Sequence, residues 1–127
     1  LGLASLDTLT GRHTAAGLDV SVARQGVPQP LASATDQAAY RILQEALTNA
    51  ARHGTGAARV GLVFGEAALE LRISNPTRDE SAPRANDGHG MTGMRERVSL
   101  YGGEIESGPR DGGGYVVRAR LPLEEVA

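Results

Sequence analysis

Leu3, Leu6, Leu9 and His13 recur at the three- and four-residue spacing of a helix face, and Gly17 follows where a helix-ending glycine belongs. In "GLDVSVAR" the period drops to two. Leu18, Val20 and Val22 alternate with Asp19, Ser21 and Ala23, the pattern of a half-buried strand. Two prolines mark "QGVPQPLAS" as a loop, after which "SATD" offers a Ser-x-x-Asp capping box ahead of an apolar run from Ala38. A long helix is predicted from about Asp36 to His53. Gly54 and Gly56 stop it, and "ARVGLVF" and "ALELRIS" on either side of "GEA" read as a hairpin with Leu69, Leu71 and Ile73 facing one way.

From Pro76 to Asp87 the chain is polar and has almost nothing to bury. Loops of that length in compact domains are functional lids or disordered segments. "MTGMRERVSLY" then supplies a third helix, and "GEIES" and "GYVVRARL" a last pair of strands joined through "GPRDGG". The order is helix, strand, helix, two strands, lid, helix, two strands. Short connections make neighbouring strands antiparallel, so the economical fold is an α/β (α+β) two-layer sandwich: a mixed, mostly antiparallel sheet covered on one face by three helices.

Length and charge narrow this picture. At 127 residues the chain fits one domain, residues 1–127, with a substantial core. Its formal charge of −2 gives no pull toward nucleic acid or an anionic membrane. The absence of cysteine removes disulfides, thiol nucleophiles and Cys-ligated zinc. No apolar stretch approaches the roughly 20 residues that span a bilayer, and the start lacks the features of a secretory signal. The opening "LGLASLDTL" without an initiator Met leads us to expect a domain excised from a longer protein.

Candidate chemistry begins on the long helix. At about 100 degrees per residue, Ile42, Leu43, Ala46, Leu47 and Ala50 share a broad apolar face, with Arg41, Glu45, Asn49 and Arg52 opposite. The simple reading is a solvated stripe. Two details resist it: Thr48 and Asn49 cost roughly half a kcal/mol each against Ala in mid-helix, and Arg41 before Glu45 is the weaker order for an ion pair one turn apart. Magnesium, by contrast, takes hard oxygen ligands and one or two protein groups beside substrate phosphates. The Asn49 carbonyl supplies such an oxygen without adding negative charge. Glu45, one turn earlier, suits proton acceptance or a metal-bound water, and Arg52, almost one turn later, suits phosphate oxygens. His53 reads either as a ligand contact or as a cap complementing the helix dipole.

The stretch "GHGMTGMRERV" carries Gly88, Gly90 and Gly93 on a G-x-G-x-x-G spacing. A dinucleotide fold is one source of that spacing, and Glu106 lies at a suitable distance for a ribose contact. Context opposes it: the polar segment intervenes where a strand should lead directly into the loop, and a hairpin follows. Glycines that merely hinge a loop are a second reading. The third is a phosphate cradle at the start of a helix, where backbone N–H groups and the positive dipole end favour an anion. Arg95 and Arg97 add positive charge there or are simply surface residues.

Three stretches together resemble the ATP-binding catalytic domain of sensor histidine kinases, in the branch of the nitrate and lipid-fluidity sensors, within the wider ATPase group of gyrase, Hsp90 and MutL. "RILQEALTNAARH" is similar to the family's N box, "GHGMTGMRERVSLYGG" to its second glycine box, and "GGGYVVRARLP" to its last glycine box and closing strand. The resemblance covers nearly the whole chain. It implies Asn49 as magnesium ligand and Glu45 as the residue assisting proton removal from an accepting histidine. It also implies an ATP lid over residues 76–89 and nucleotide contacts from Arg52, His53, Asn75, Gly88, His89, Gly90, Met91, Gly93, Met94 and Gly114, besides Asn49. The implied cofactors are ATP and Mg. The implied partners are a histidine-bearing dimerisation domain, which the chain lacks, and a downstream response regulator. The implied location is cytoplasmic, on a parent protein that is free or membrane-anchored.

Two departures from the family pattern stand out. The first glycine box, Asp-x-Gly-x-Gly, should follow "LRI", yet the sequence continues "SNPTRD": Asn75 occupies the place of the adenine-reading Asp, and its glycines are missing. An amide oxygen also accepts from an adenine amino group, more weakly than a carboxylate, and an amide can be turned either way. Tyr115 stands where the family often has a supporting Thr. Second, none of His13, His53 and His89 lies in the family's acceptor motif, so phosphorylation requires a separate domain. Rival readings are a nucleotide-binding regulatory module without phosphoryl transfer and an anti-sigma serine kinase of the same fold. The "GMRERV" helix favours the histidine kinase over the second, and Glu45 with Asn49 favours it over the first.

Overall fold

The computed structural model of the chain describes residues 2–76, 87–109 and 113–123, and at 53 and 87–92 the backbone alone. A single 3-10 turn, Leu3–Ser5, leads into α1 (Leu6–Ala15). There follow β1 (Asp19–Gln25), α2 (Ser33–His53), β2 (Ala57–Phe64), β3 (Ala68–Asn75), α3 (Asp87–Leu100), β4 (Glu104–Pro109) and β5 (Tyr115–Pro122). The five strands make one sheet in the order β1-β2-β3-β5-β4. Only β1 and β2 run parallel, because α2 crosses between them; the remaining pairs are antiparallel.

Register explains why one face of the sheet is apolar. Leu62 lies opposite Leu71, Leu71 opposite Ala119 and Ala119 opposite Ile105; one row away, Val60, Ile73 and Val117 align. Strand period 2 sends all of them to the same side. Leu6 and Leu9 of α1, Ile42, Leu43, Leu47 and Ala50 of α2, and Val98 of α3 pack on that side in one buried cluster. Each fully buried Leu or Ile contributes about 1.5–3 kcal/mol. The intervening residues, including Arg59, Glu70, Arg72, Glu106, Arg118 and Arg120, occupy the other face, which no described helix covers. The two-layer sandwich expected from the sequence is therefore present.

Three local expectations change. α2 starts at Ser33, earlier than about Asp36, behind an extended Ala32 whose carbonyl accepts the Asp36 N–H at 2.8 Å. Ser33 makes no side-chain cap, and the Asp36 carboxylate instead accepts the backbone N–H of Leu3 at 3.0 Å. Gly2 permits this, since a Cβ there would run into the carboxylate. β1 is an exposed edge rather than a half-buried strand: Val20 is partly buried, but Val22 is 37% exposed, because the strand has a neighbour on one side only. α3 begins at Asp87, not Met91, so Gly88 and Gly90 lie in its first turn and Gly93 in its second. Glycine disfavours a helix by about 1 kcal/mol against Ala, which is why the sequence reads as a loop there, whereas the acidic residue at the first position suits the helix dipole. Residues 77–86 of the expected lid lie outside the described residues, and 87–89 are helical.

Candidate functional site

The C-terminal half of α2 ends against the C-terminal end of β3. The Gly54 N–H donates to the Ala50 carbonyl at 2.9 Å, closing the last turn, and the Thr55 N–H donates to the Pro76 carbonyl at 3.2 Å, joining the chain after α2 to the chain after β3. Gly54 has φ −89°, an ordinary value. It is glycine for space: a Cβ would lie 2.6 Å from the Ala50 oxygen and 2.9 Å from Nδ2 of Asn75. The sequence marked Gly54 only as a helix breaker; its contact with Asn75 was not foreseen.

Asn75 continues the row of Leu69, Leu71 and Ile73 on the helix-covered side of the sheet and is 5% exposed. A buried amide needs partners. Its Nδ2 donates to the carbonyl of Pro76 at 3.2 Å. That bond fixes which way the amide is turned and leaves Oδ1 as the acceptor. Opposite Asn75 in the β3–β5 register stands Tyr115, partly buried against the core. Gly113 and Gly114, with φ of 92° and 124°, lead into β5 in a left-handed conformation that only glycine adopts easily.

Glu45 and Asn49 are half-buried, one turn apart on α2, while Arg41 and Arg52 are exposed. Among the described residues neither Glu45 nor Asn49 makes a side-chain hydrogen bond, and Arg24 with Asp7 at 3.0 Å is the one ion pair. Among the described residues Arg41 and Glu45 therefore do not neutralise each other. Among the described residues no three His, Asp or Glu side chains gather as a metal cluster. Among the described residues the oxygen-bearing side chains on this stretch of α2, 45–49, are those of Glu45, Thr48 and Asn49.

Helix α3 packs beside α2, with Met94 partly buried against the core and Gly93 exposed with open space around it. The side chains of His53, His89 and Met91 lie outside the described residues, so only their backbone positions are known: the last residue of α2 and the first two turns of α3. The structure thus brings together the ends of α2, β3 and β5 through Gly54, Asn75 and Tyr115, with Asn49 just over one turn before Gly54 on α2.

The sequence pattern of the histidine kinase-, DNA gyrase B- and HSP90-like ATPases matches residues 34–125. The chain belongs to this ATPase family. The match begins in the first turn of α2 and includes every element that carries a candidate residue; α1 and β1 precede it. Among curated relatives, the chain is similar to "Sensor histidine kinase YxjM" of Bacillus subtilis (strain 168), 33% identical over 84 residues, covering 66% of this chain and 20% of the relative. It is also similar to "Sensor histidine kinase LnrJ" of the same organism, 31% identical over 109 residues, 85% of this chain and 27% of the relative. The chain thus spans about a quarter or less of either kinase's length. Among the described residues no helix of this ATPase-family domain is long and apolar enough to cross a membrane.

Proposed function

We propose that this domain binds Mg-ATP between the C-terminal half of α2, the start of α3 and the ends of β3 and β5, and passes the γ-phosphoryl group to a histidine on a dimerisation domain of its parent kinase. The observation that carries the reading is the Asn75 amide, buried on the helix side of the sheet, with Nδ2 engaged by the Pro76 carbonyl and Oδ1 left as the acceptor. It lies against the same end of α2 that presents Glu45 and Asn49.

In this reading the adenine amino group donates to Asn75 Oδ1, and Tyr115 shapes the same end of the pocket. The first N–H groups of α3 have no partner within the helix and point toward anionic oxygen. Gly88, Gly90 and Gly93 let the phosphates approach that backbone closely, with His89, Met91, Met94 and Gly114 along the walls and Arg52 and His53 at the end of α2. Asn49 would hold a magnesium ion together with the phosphates, and that ion would supply positive charge against the charge developing on the leaving group. An imidazole nitrogen of the acceptor attacks the γ-phosphorus; the N–P bond forms as the bond to the β-phosphate bridging oxygen breaks, and ADP leaves with that electron pair. Glu45 receives the proton the imidazole gives up. A response regulator then draws the phosphoryl group from the histidine. The domain works on the cytoplasmic side.

Labelling tests this directly. The domain, Mg-ATP carrying a labelled γ-phosphate and the dimerisation domain of its own full-length chain should together give a phosphorylated histidine. Glu45→Gln should slow labelling at least tenfold while ATP affinity changes by less than about threefold. Tight ATP binding with no label on the partner would instead identify a regulatory nucleotide-binding module, and label on a serine an anti-sigma type of kinase.

A further inference from the structure

The uncovered face of the sheet carries a trough of about 770 Å³ that touches all five strands, from Ala23 on β1 to Pro109 on β4. Three arginines edge it. Arg72 and Arg118 are direct cross-strand partners, and Arg59, opposite Ser74, is the diagonal neighbour of Arg72. Like charges placed so closely on one face destabilise a sheet. Among the described residues none of the three closes an ion pair, even though Glu106 stands opposite Arg118.

The floor is equally unusual. Gly61 sits mid-strand in β2 beside Arg72, and a Cβ there would meet only the Arg72 carbonyl oxygen, at 3.8 Å. Neither packing nor backbone conformation asks for glycine, which destabilises a strand interior relative to alanine. Strand glycines mark a bulge, a sharp bend or close approach by another chain or a ligand, and the unbroken β2–β3 register through Gly61 leaves the last. Gly108, on the far side of the trough, likewise has nothing near its missing Cβ.

We propose that this trough docks an extended acidic segment of a partner protein. Five strands about 4.8 Å apart span roughly 19 Å, the length of about six residues of extended chain. Forked guanidinium groups bind carboxylates in pairs of hydrogen bonds. Glu106 at one end, with Glu70 and Glu104 in the adjacent row, repels a continuous polyanion, and among the described residues no aromatic side chain lines the trough to stack bases. Nucleic acid is therefore disfavoured, whereas a short segment can set its carboxylates over the arginines alone. The trough and the proposed nucleotide site lie on opposite faces of the sheet, so each stands or falls separately.

The test is fluorescence anisotropy of fluorescein-labelled hexaglutamate against the complete chain, with hexalysine as control. Saturable binding of hexaglutamate alone is expected, about tenfold weaker for each of Arg72→Gln and Arg118→Gln. Gly61→Val, which keeps every charge but fills the floor, should weaken it similarly. Circular dichroism and binding of a fluorescent ATP analogue should be unchanged in all three variants. The proposal is overturned if hexaglutamate does not saturate, if the arginine variants bind it as the parent does, or if a folded Gly61→Val retains full affinity. Displacement by equimolar inorganic pyrophosphate would overturn it too, by showing a site for small anions.

Discussion

Replacing Gly54 by alanine places a methyl group 2.6 Å from the Ala50 oxygen, 2.9 Å from Asn75 Nδ2 and 3.2 Å from the Pro76 oxygen. Two of these are backbone oxygens and the third belongs to a buried amide, so none can yield without moving the end of α2 or of β3. Overpacking of this kind costs about 1–3 kcal/mol. Restricting the unfolded chain returns about 0.4–1 kcal/mol, leaving a net loss of about 1–2 kcal/mol. For a domain of this size that lowers Tm by about 4–8 °C. Thermal unfolding followed by circular dichroism measures the shift, and titration with a fluorescent ATP analogue well below Tm measures the site. Because the methyl displaces the Asn75 amide, nucleotide affinity should fall alongside stability, by about tenfold if one hydrogen bond is lost. Gly61→Ala is the internal control: its Cβ meets only an oxygen at 3.8 Å, so stability should hold or rise slightly. A Gly54→Ala protein with parental Tm and parental ATP affinity would refute the account of how α2 and β3 meet.

Asn75→Leu should abolish discrimination between ATP and GTP, read as the ratio of their dissociation constants, because the acceptor that receives an amino group is gone. Asn49→Ala should weaken ATP binding about tenfold with magnesium present and leave it unchanged with the metal chelated, measured by calorimetry. Leu71→Ala, at a position 1% exposed in the middle of the sheet, should cost about 2–5 kcal/mol in urea unfolding. Burial pushes the His13 imidazole below its ordinary 6.5. The unfolded chain then takes up the proton first as pH falls, so this group's share of stability is complete above 6.5 and is lost as pH drops through the lowered folded value. Urea midpoints for the parent should consequently fall more steeply below that pH than those of His13→Gln.

Periodicity made the sandwich legible. Leu69, Leu71 and Ile73 at every second position, and Ile42, Leu43, Leu47 and Ala50 at helical spacing, announce which sides bury, and the structure buries those sides. Polar placement on the side of α2 opposite its apolar face pointed to Glu45 and Asn49, which are half-buried and make no side-chain hydrogen bond among the described residues. What stayed hidden was tertiary. A Ser-x-x-Asp motif cannot reveal that Asp36 will turn to the N–H of Leu3, 33 residues away. Alternation in β1 likewise cannot reveal that the strand will form an edge. Gly88 and Gly90 of "GHGMTG" read as loop because local propensity says so, while their place at the head of a helix anchored on the core by Val98 and Met94 overrides it. Gly54 needed knowledge of what lies beside it, since its dihedral angles are ordinary and only the neighbouring amide demands its small size.

Asn75 and Ser74 are consecutive residues that look out on opposite sides of the sheet, the first beneath the helices and the second among the arginines. One inserted or deleted residue in β3 would turn the amide outward and drive Arg72 into the apolar layer. Length variation should therefore be tolerated in the chain leading away from this strand and hardly at all within it.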